Sequence, residues 1–411
     1  MIFAKILRNR YKNGLLFFSL LMVFSLAVPA DVEMKEVLGL YVSKEGMLMQ
    51  NGAPYRGIGV NYFDAFYRVL LDPQDKSYKE GFAYLKSRKI PFIRFMAGGF
   101  WPVEYRLYLH DREKYFSLLD EFVHAAEEQG IGLIPSLFWN TSTISDLTGE
   151  PRSEWGNPDS RTVAFMRAYT EEIVARYKDS PAIWGWEFGN EMNAYADLRD
   201  QAKHFLPAVS REGGTPASRT AADAITSAHL RAALEEFGAA VRKHDKTRII
   251  ISGNDIPPPN AENRYRHADW KRDTRSGYID MLRTQNPDPV DTLSIHLYPQ
   301  RAFSYYADGR ASLRDIIRVS MKGAAQIGKP LFIGEFGAPE SLGPKQARLR
   351  FTELLNGIEA SEVPLAALWV FDFPGQDKEW NVAPDNGRGY QLEQIAKLNE
   401  RIWNEPRIRK R

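Results

Sequence analysis

The stretch Trp184-Gly185-Trp186-Glu187-Phe188-Gly189-Asn190-Glu191-Met192-Asn193 reads as a short buried strand, led in by Ala182 and Ile183, that stops at the polar pair Asn190-Glu191 where a loop begins. Apolar residues at consecutive rather than alternate positions mark a strand covered on both faces, as in a parallel sheet. A glutamate at the carboxyl end of such a strand sits where barrel enzymes gather their chemistry. Alone it is weak, because surface loops hold many glutamates. Its weight depends on a scaffold and on a partner.

Working outward, seven segments of the same kind flank it. Arg56 to Asn61 (RGIGVN), Ile90 to Phe95 (IPFIRF) and Ile131 to Phe138 come before it. Arg248 to Ser252 (RIIIS), Asp291 to His296 (DTLSIH), Pro330 to Glu335 (PLFIGE) and Leu365 to Phe371 (LAALWVF) come after it. Helix-compatible sequence separates them: Lys76 to Lys89, Asp111 to Gln129, a stripe from Val163 to Tyr177, a run ending near His244, then Asp269 to Thr284, Ser312 to Gln326 and Lys345 to Glu359. A last helix is expected over Gln391 to Trp403. In the second of these, Phe116, Leu119, Phe122, Val123 and Ala126 fall at three- and four-residue spacing, which places them on one core-facing stripe closed by Gly130. Eight alternations with no dividing linker predict a single α/β domain, a (β/α)8 TIM barrel, with an open doubly wound sheet as the alternative. Ahead of it, Tyr41 to Gln50 followed by Asn51-Gly52 predicts a small hairpin capping one end.

At 411 residues, 44% apolar and 26% charged, the chain has the balance of a globular protein and not of a disordered one. Its 54 basic and 52 acidic residues nearly cancel, which argues against a nucleic-acid partner. Lys5, Arg8, Arg10 and Lys12 precede an apolar run from Gly14 to Val28, and Val28-Pro29-Ala30 offers small residues for cleavage before Asp31. This is the layout of a signal peptide over 1–30, with a catalytic unit over 31–411 in the periplasm or outside the cell and no membrane contact after cleavage; an N-terminal membrane anchor is the alternative. With no Cys, the exported chain relies on its core alone. Neither Cys nor an HExxH pair is present, so no metal or other cofactor is expected, and a monomer is.

In a barrel the strand ends converge on one face. They supply Asn61 and Tyr62, Arg94, Trp139 and Asn140, Asn190 and Glu191, Asn254 and Asp255, His296 and Tyr298, Glu335, and Trp369. Carboxylates, amides, an Arg and Trp gathered this way suit a neutral polyhydroxylated ligand, with indole faces against sugar rings and polar groups on hydroxyls. Glu335, in KPLFIGEFG, is the partner that Glu191 requires. Two carboxyls facing each other across the mouth match what glycosidic cleavage needs: one protonates the leaving oxygen, and the other attacks the anomeric carbon or activates water. Arg94 has a competing structural reading as the buried partner of Glu187, which shares the inward parity of Glu191. Asn254 and Asp255 carry no assignment.

WEFGNE with Asn190-Glu191, FIGEFG with Glu335, SIHLYP with His296 and Tyr298, FIRF with Arg94, and LWVF with Trp369 together resemble a clan A glycoside hydrolase, nearest in pattern to family 5 and its β-mannanase-like members. The likeness runs from about Gly46 to Trp403. It implies a retaining double displacement on a polysaccharide or oligosaccharide, with Glu191 as general acid/base, Glu335 as nucleophile and their carboxyls about 5 to 5.5 Å apart. It further implies that Asn190 holds the sugar 2-hydroxyl, that His296 contacts substrate and that Trp369 is the ring platform. Arg94 and Tyr298, themselves part of the expected substrate-binding set, would favour the ionised form of Glu335, and Asn61 and Trp139 complete that set. Endo action on β-1,4-mannan is preferred over β-1,4-glucan or an exo mode, and a barrel that binds carbohydrate without cleaving it is the reading from another class. The segments Ala194 to Arg219 and Asp255 to Ala268 are the expected cleft walls.

Overall fold

Strands made of unbroken apolar or small residues have no face to offer water, and here each is buried at every position. The computed structural model describes residues 37–199, 213–301 and 305–404. The segment read as an export signal and part of the 194–219 wall lie outside the described residues.

A three-stranded antiparallel sheet comes first: β1 (Tyr41–Val42), β2 (Leu48–Gln50) and β3 (Ala53–Pro54). Asn51 and Gly52 both adopt positive φ between β2 and β3, as a tight hairpin turn requires. Eight parallel strands follow: β4 (Gly57–Asn61), β5 (Phe92–Met96), β6 (Gly132–Phe138), β7 (Gly185–Gly189), β8 (Ile249–Ile251), β9 (Leu293–Leu297), β10 (Leu331–Phe336) and β11 (Leu365–Leu368). Their order is β8-β7-β6-β5-β4-β11-β10-β9, and a parallel bridge between Ile251 and Thr292 joins the two ends into a barrel. Asp291 reinforces that seam by accepting the Ile250 N–H at 2.9 Å.

The interior is divided along the axis. At the amino-terminal end, Leu40, Leu48, Phe92, Ile134, Ile249 and Phe332 form part of an apolar plug. The small sheet is stitched beneath it through Leu40, whose N–H donates to Trp184 O and whose carbonyl accepts from Ile249 N, both at 2.9 Å. At the carboxyl end the inward residues turn polar: Asn61, Arg94, Ser136, Glu187, His296 and Glu335 are all buried. A floor of hydrocarbon under a ring of hydrogen-bonding groups concentrates chemistry at one face.

The helices form as their patterns predict where capping signals are strong. Asp111 accepts the Lys114 N–H to start the helix Arg112–Gln129, which ends at Gly130 in the left-handed region, and its predicted stripe is buried. The expected helix over 269–284 begins later, at Arg275, where the Thr274 side chain caps Gly277 N–H. A separate helix, Ala261–His267, precedes it, with the Asp273 carboxylate accepting from Glu262 N and Asn263 N. This cap comes from outside the helix in sequence, so a local pattern does not reveal it.

The last helix, Tyr390–Asn404, closes the barrel exterior against β4 through one amide. Asn399, fully buried, accepts from Ile58 N at 2.9 Å and donates to Ile58 O at 2.9 Å and Lys89 O at 3.1 Å. Replacing it with Leu strands buried backbone groups, so Asn399→Leu is expected to lower the unfolding free energy by about 2 to 3 kcal/mol in a denaturant titration. A loss under ~0.5 kcal/mol would remove the clamp from the account.

Candidate active site

Arg94 is the centre from which the polar end of the barrel is built. It lies two residues above Phe92 of the apolar plug and so points inward from β5. Its Nε donates to both oxygens of Glu187 (2.7 and 2.9 Å), Nη1 to Asn61 Oδ1 (2.8 Å) and Glu335 Oε1 (2.9 Å), and Nη2 to Asn190 Oδ1 (2.8 Å). A planar fork of five N–H groups is the side chain that can serve four acceptors in fixed directions. Burial alone disfavours the guanidinium charge; Glu187 and then Glu335 more than offset this and hold Arg94 above its ordinary value. At Glu187 burial wins instead: it raises the carboxyl above the usual range, against the pull of Arg94 and Ser136.

Glu335 reaches the mouth through an irregularity. Simple alternation from Phe332, an inward residue, would turn Gly334 inward and Glu335 out. Between Ile333 and Glu335 the register with β9 shifts, so that Ile333 pairs with Ile295 and Glu335 with His296. This bulge re-aims the glutamate. Gly334 is needed there, because a Cβ would meet His296 Nε2 at 2.9 Å and Cδ2 at 3.1 Å. The Glu335 carboxylate then accepts from Arg94 on one oxygen and from Tyr298 Oη, at 2.5 Å, on the other. Burial and the negative charges of Glu335 and Glu191 raise Tyr298 well above an ordinary phenol, so it stays a donor.

Glu191 stands where β7 breaks into a loop, at φ 50, and its N–H donates to Gly253 O at 2.9 Å. Gly253 is itself at φ 70, and a Cβ there would collide with Gly189 O at 1.7 Å, so only glycine lets the ends of β7 and β8 approach this closely. His296 joins the two glutamates: Nδ1 lies 2.9 Å from Glu191 Oε1 and 3.5 Å from Glu335 Oε2. Those oxygens are therefore no farther apart than the two lengths laid end to end, which is compatible with the ~5 to 5.5 Å of direct attack. A cavity of ≈ 170 Å³ opens beside Glu191, lined in part by Trp139, Asn140, Arg152, Asn190 and Tyr195.

Aromatic rings wall the mouth. Trp139 lies over the Arg94 guanidinium, 4.6 Å from ring centroid to Cζ, and stacks near Trp369 at 6.1 Å and 27°. Trp369 is held through Nε1 donating to Gln376 Oε1 at 2.9 Å. Trp380 packs edge-on to Tyr298 at 5.0 Å.

The structure thus brings together Arg94, Asn190, Glu191, His296, Tyr298, Glu335, Trp139 and Trp369. Three residues of the expected substrate-binding set stand beneath the mouth, Arg94 among them, fully buried under its carboxylate and amide partners. Asn61 is fully buried, with its amide donating to Gly334 O and Leu368 O and its oxygen held by Arg94; His296 is likewise fully buried against the two glutamates. The Arg94 guanidinium contacts both Glu187 and Glu335. Trp380, Gln376, Arg152 and Tyr195 were not legible, because they lie in a turn or in single-turn 3-10 helices too short for a periodicity to mark their direction. Asp255, which carried no assignment, is buried with a carboxylate oxygen that falls within 4.8 Å of ligating atoms of both Glu191 and His296. Among the described residues no helix is long and apolar enough to cross a membrane.

Comparison with known proteins places this geometry in context. The model of the family described as cellulase (glycosyl hydrolase family 5) matches residues 50–367. A probable mannan endo-1,4-β-mannosidase A-2 of Aspergillus terreus is 39% identical over 80 residues, which is 18% of this chain and 20% of that one. The chain thus matches only about a fifth of the length of this relative. Mannan endo-1,4-β-mannosidase 3 of Arabidopsis thaliana is 23% identical over 335 residues, covering 73% of this chain and 72% of that one. The crystal structure of the endo-1,4-β-mannanase from Rhizomucor miehei superposes with a TM-score of 0.64 at 18% identity, covering 89% of this chain and 99% of that one, a likeness of fold.

Proposed function

Because the chain belongs to glycosyl hydrolase family 5, we propose that it is a retaining endo-β-1,4-mannanase. The observation that carries the reading is one buried imidazole nitrogen in contact with both Glu191 and Glu335, with Arg94 and Tyr298 donating to Glu335 from the other sides. In the first step Glu335 attacks the anomeric carbon while the Glu191 carboxyl proton passes to the departing glycosidic oxygen. In the second, water attacks that carbon, gives its proton to the Glu191 carboxylate, and the bond to Glu335 breaks. Two donors, Arg94 on one oxygen and Tyr298 on the other, fix the Glu335 carboxylate for attack. Asn190, whose oxygen is occupied by Arg94, keeps its amide N–H groups for a substrate hydroxyl, and Trp369 supplies an apolar face for the ring. The mannan preference rests on the relatives named above.

The test is NMR of the first products from mannan, glucomannan, cellulose and mixed-linkage glucan. Initial release of the β-anomer, with internal cleavage of mannan fastest, is expected. Initial α-anomer would overturn the double displacement, and cleavage confined to chain ends or to glucans would overturn the endo-mannan assignment.

A further inference from the structure

The geometry points to Asp255 as a positioning residue: a third, buried carboxylate that keeps the proton-sharing pair Glu191 and His296 in its working protonation state. This rests on the reading of Glu191 as the acid. Asp255 follows β8, is 2% exposed, and has one carboxylate oxygen within 4.8 Å of both a Glu191 oxygen and a His296 ring nitrogen. Its placement is built in detail. Asn193, two residues past Glu191, grips the Asp255 backbone in both directions, its Oδ1 accepting from Asp255 N at 2.9 Å and its Nδ2 donating to Asp255 O at 2.8 Å. Asp255 Oδ1 is further fixed by Ile256 N–H at 2.8 Å. The turn that carries Glu191 therefore holds the carboxylate in register with it.

The charges around the pair come from every neighbouring strand. Arg94 on β5 is shared between Glu187 on β7 and Glu335 on β10; Tyr298, just past β9, donates to Glu335; Arg152, at the start of a 3-10 helix between β6 and β7, lines the cavity beside Glu191. Asp255 adds a negative charge on the β8 side, close to the 2.9 Å contact between His296 Nδ1 and Glu191 Oε1. A proton on Nδ1 makes that contact a donated hydrogen bond, and it leaves the second Glu191 oxygen to carry the proton destined for the leaving group. A fixed negative charge at this range makes the pair as a unit hold its protons more tightly. The sign follows: with Asp255 neutralised, the pair loses its proton at lower pH, and the high-pH limb of activity moves down.

The experiment measures kcat/KM against pH for the unchanged enzyme, Asp255→Asn and Asp255→Glu, on mannohexaose and on a dinitrophenyl β-mannoside whose leaving group needs no proton. For Asp255→Asn the high-pH limb on mannohexaose is expected to fall by about 1 pH unit, with the activated substrate much less affected and Asp255→Glu restoring the limb in part. An unmoved limb, or an equal loss at all pH values on both substrates, would overturn the role. Should Asp255→Asn fail to fold, nitrogen-15 NMR of the unchanged enzyme decides: a His296 ring, assigned with His296→Gln, that keeps Nδ1 protonated through neutral pH supports the role, and a bare Nδ1 defeats it. No hydrolysis of mannohexaose or the aryl mannoside by the unchanged enzyme would instead defeat the functional assignment, whereas an active enzyme with an unmoved limb defeats only Asp255.

Discussion

Replacing Glu335 with Gln is expected to reduce kcat/KM on mannan by about 10⁴-fold or more, a loss of at least ~5 kcal/mol of transition-state stabilisation, while the protein stays folded. The substitution keeps the size and planarity of the side chain, so the bulge that turns it inward and the packing of Gly334 against His296 are undisturbed. Its amide oxygen still accepts from Arg94, and the Tyr298 hydroxyl, now facing an NH2 group, can rotate to accept. What disappears is the anionic oxygen able to form the glycosyl ester. The loss should appear with mannan and with dinitrophenyl mannoside alike, because every retaining turnover passes through that ester. Glu191→Ala differs in kind: the first step on the activated substrate escapes most of the loss, since dinitrophenolate departs without a proton. If Glu335→Gln retained activity within ~10-fold, with the thermal midpoint unchanged, Glu335 would not be the nucleophile.

How far the site was legible follows from which physical rule governs each residue. The barrel could be read because its strands are buried on both faces, so continuous apolar runs marked all eight, and strand ends marked Glu191 and Glu335 as facing carboxylates. Glu187 could be paired with Arg94 by parity, and the structure places them 2.7 Å apart. Parity fails at Glu335, where the bulge reverses it; the residue was found by its place at the strand end and not by its direction. The place of Asn61 beneath the mouth is hidden from the sequence for a related reason. Its amide donates to carbonyls of β10 and β11, Gly334 and Leu368, and those partners are adjacent only once the barrel has closed. The same holds for Asp255, tied to Asn193 across 62 positions of sequence: a loop carboxylate has no periodicity, so nothing local separates a positioned charge from a solvated one.

Arg94→Lys is expected to destabilise the protein by about 3 to 5 kcal/mol and to depress activity as well. A lysine ammonium offers three donors from one point and cannot reach Glu187, Asn61, Glu335 and Asn190 together. Whichever carboxylate it leaves is buried without its guanidinium partner, and Glu187, fully buried, is the more costly one to strand. Glu187 already sits above the ordinary carboxylate range in the intact site, through burial; taking Arg94 away raises it further. A native-state value above the unfolded one means that the folded protein binds the extra proton, so stability falls as pH rises between the two values and recovers as pH falls. The variant should therefore lie closest to the unchanged protein at mildly acidic pH and farthest from it near pH 8, as read from denaturant midpoints across that range. Adding Glu187→Gln should restore part of the stability, since it removes the stranded charge, but not the activity, because Glu335 and Asn190 still lack their shared donor. If the double variant recovered activity along with stability, Arg94 would serve only to neutralise Glu187, and Tyr298 alone would hold the Glu335 carboxylate in place.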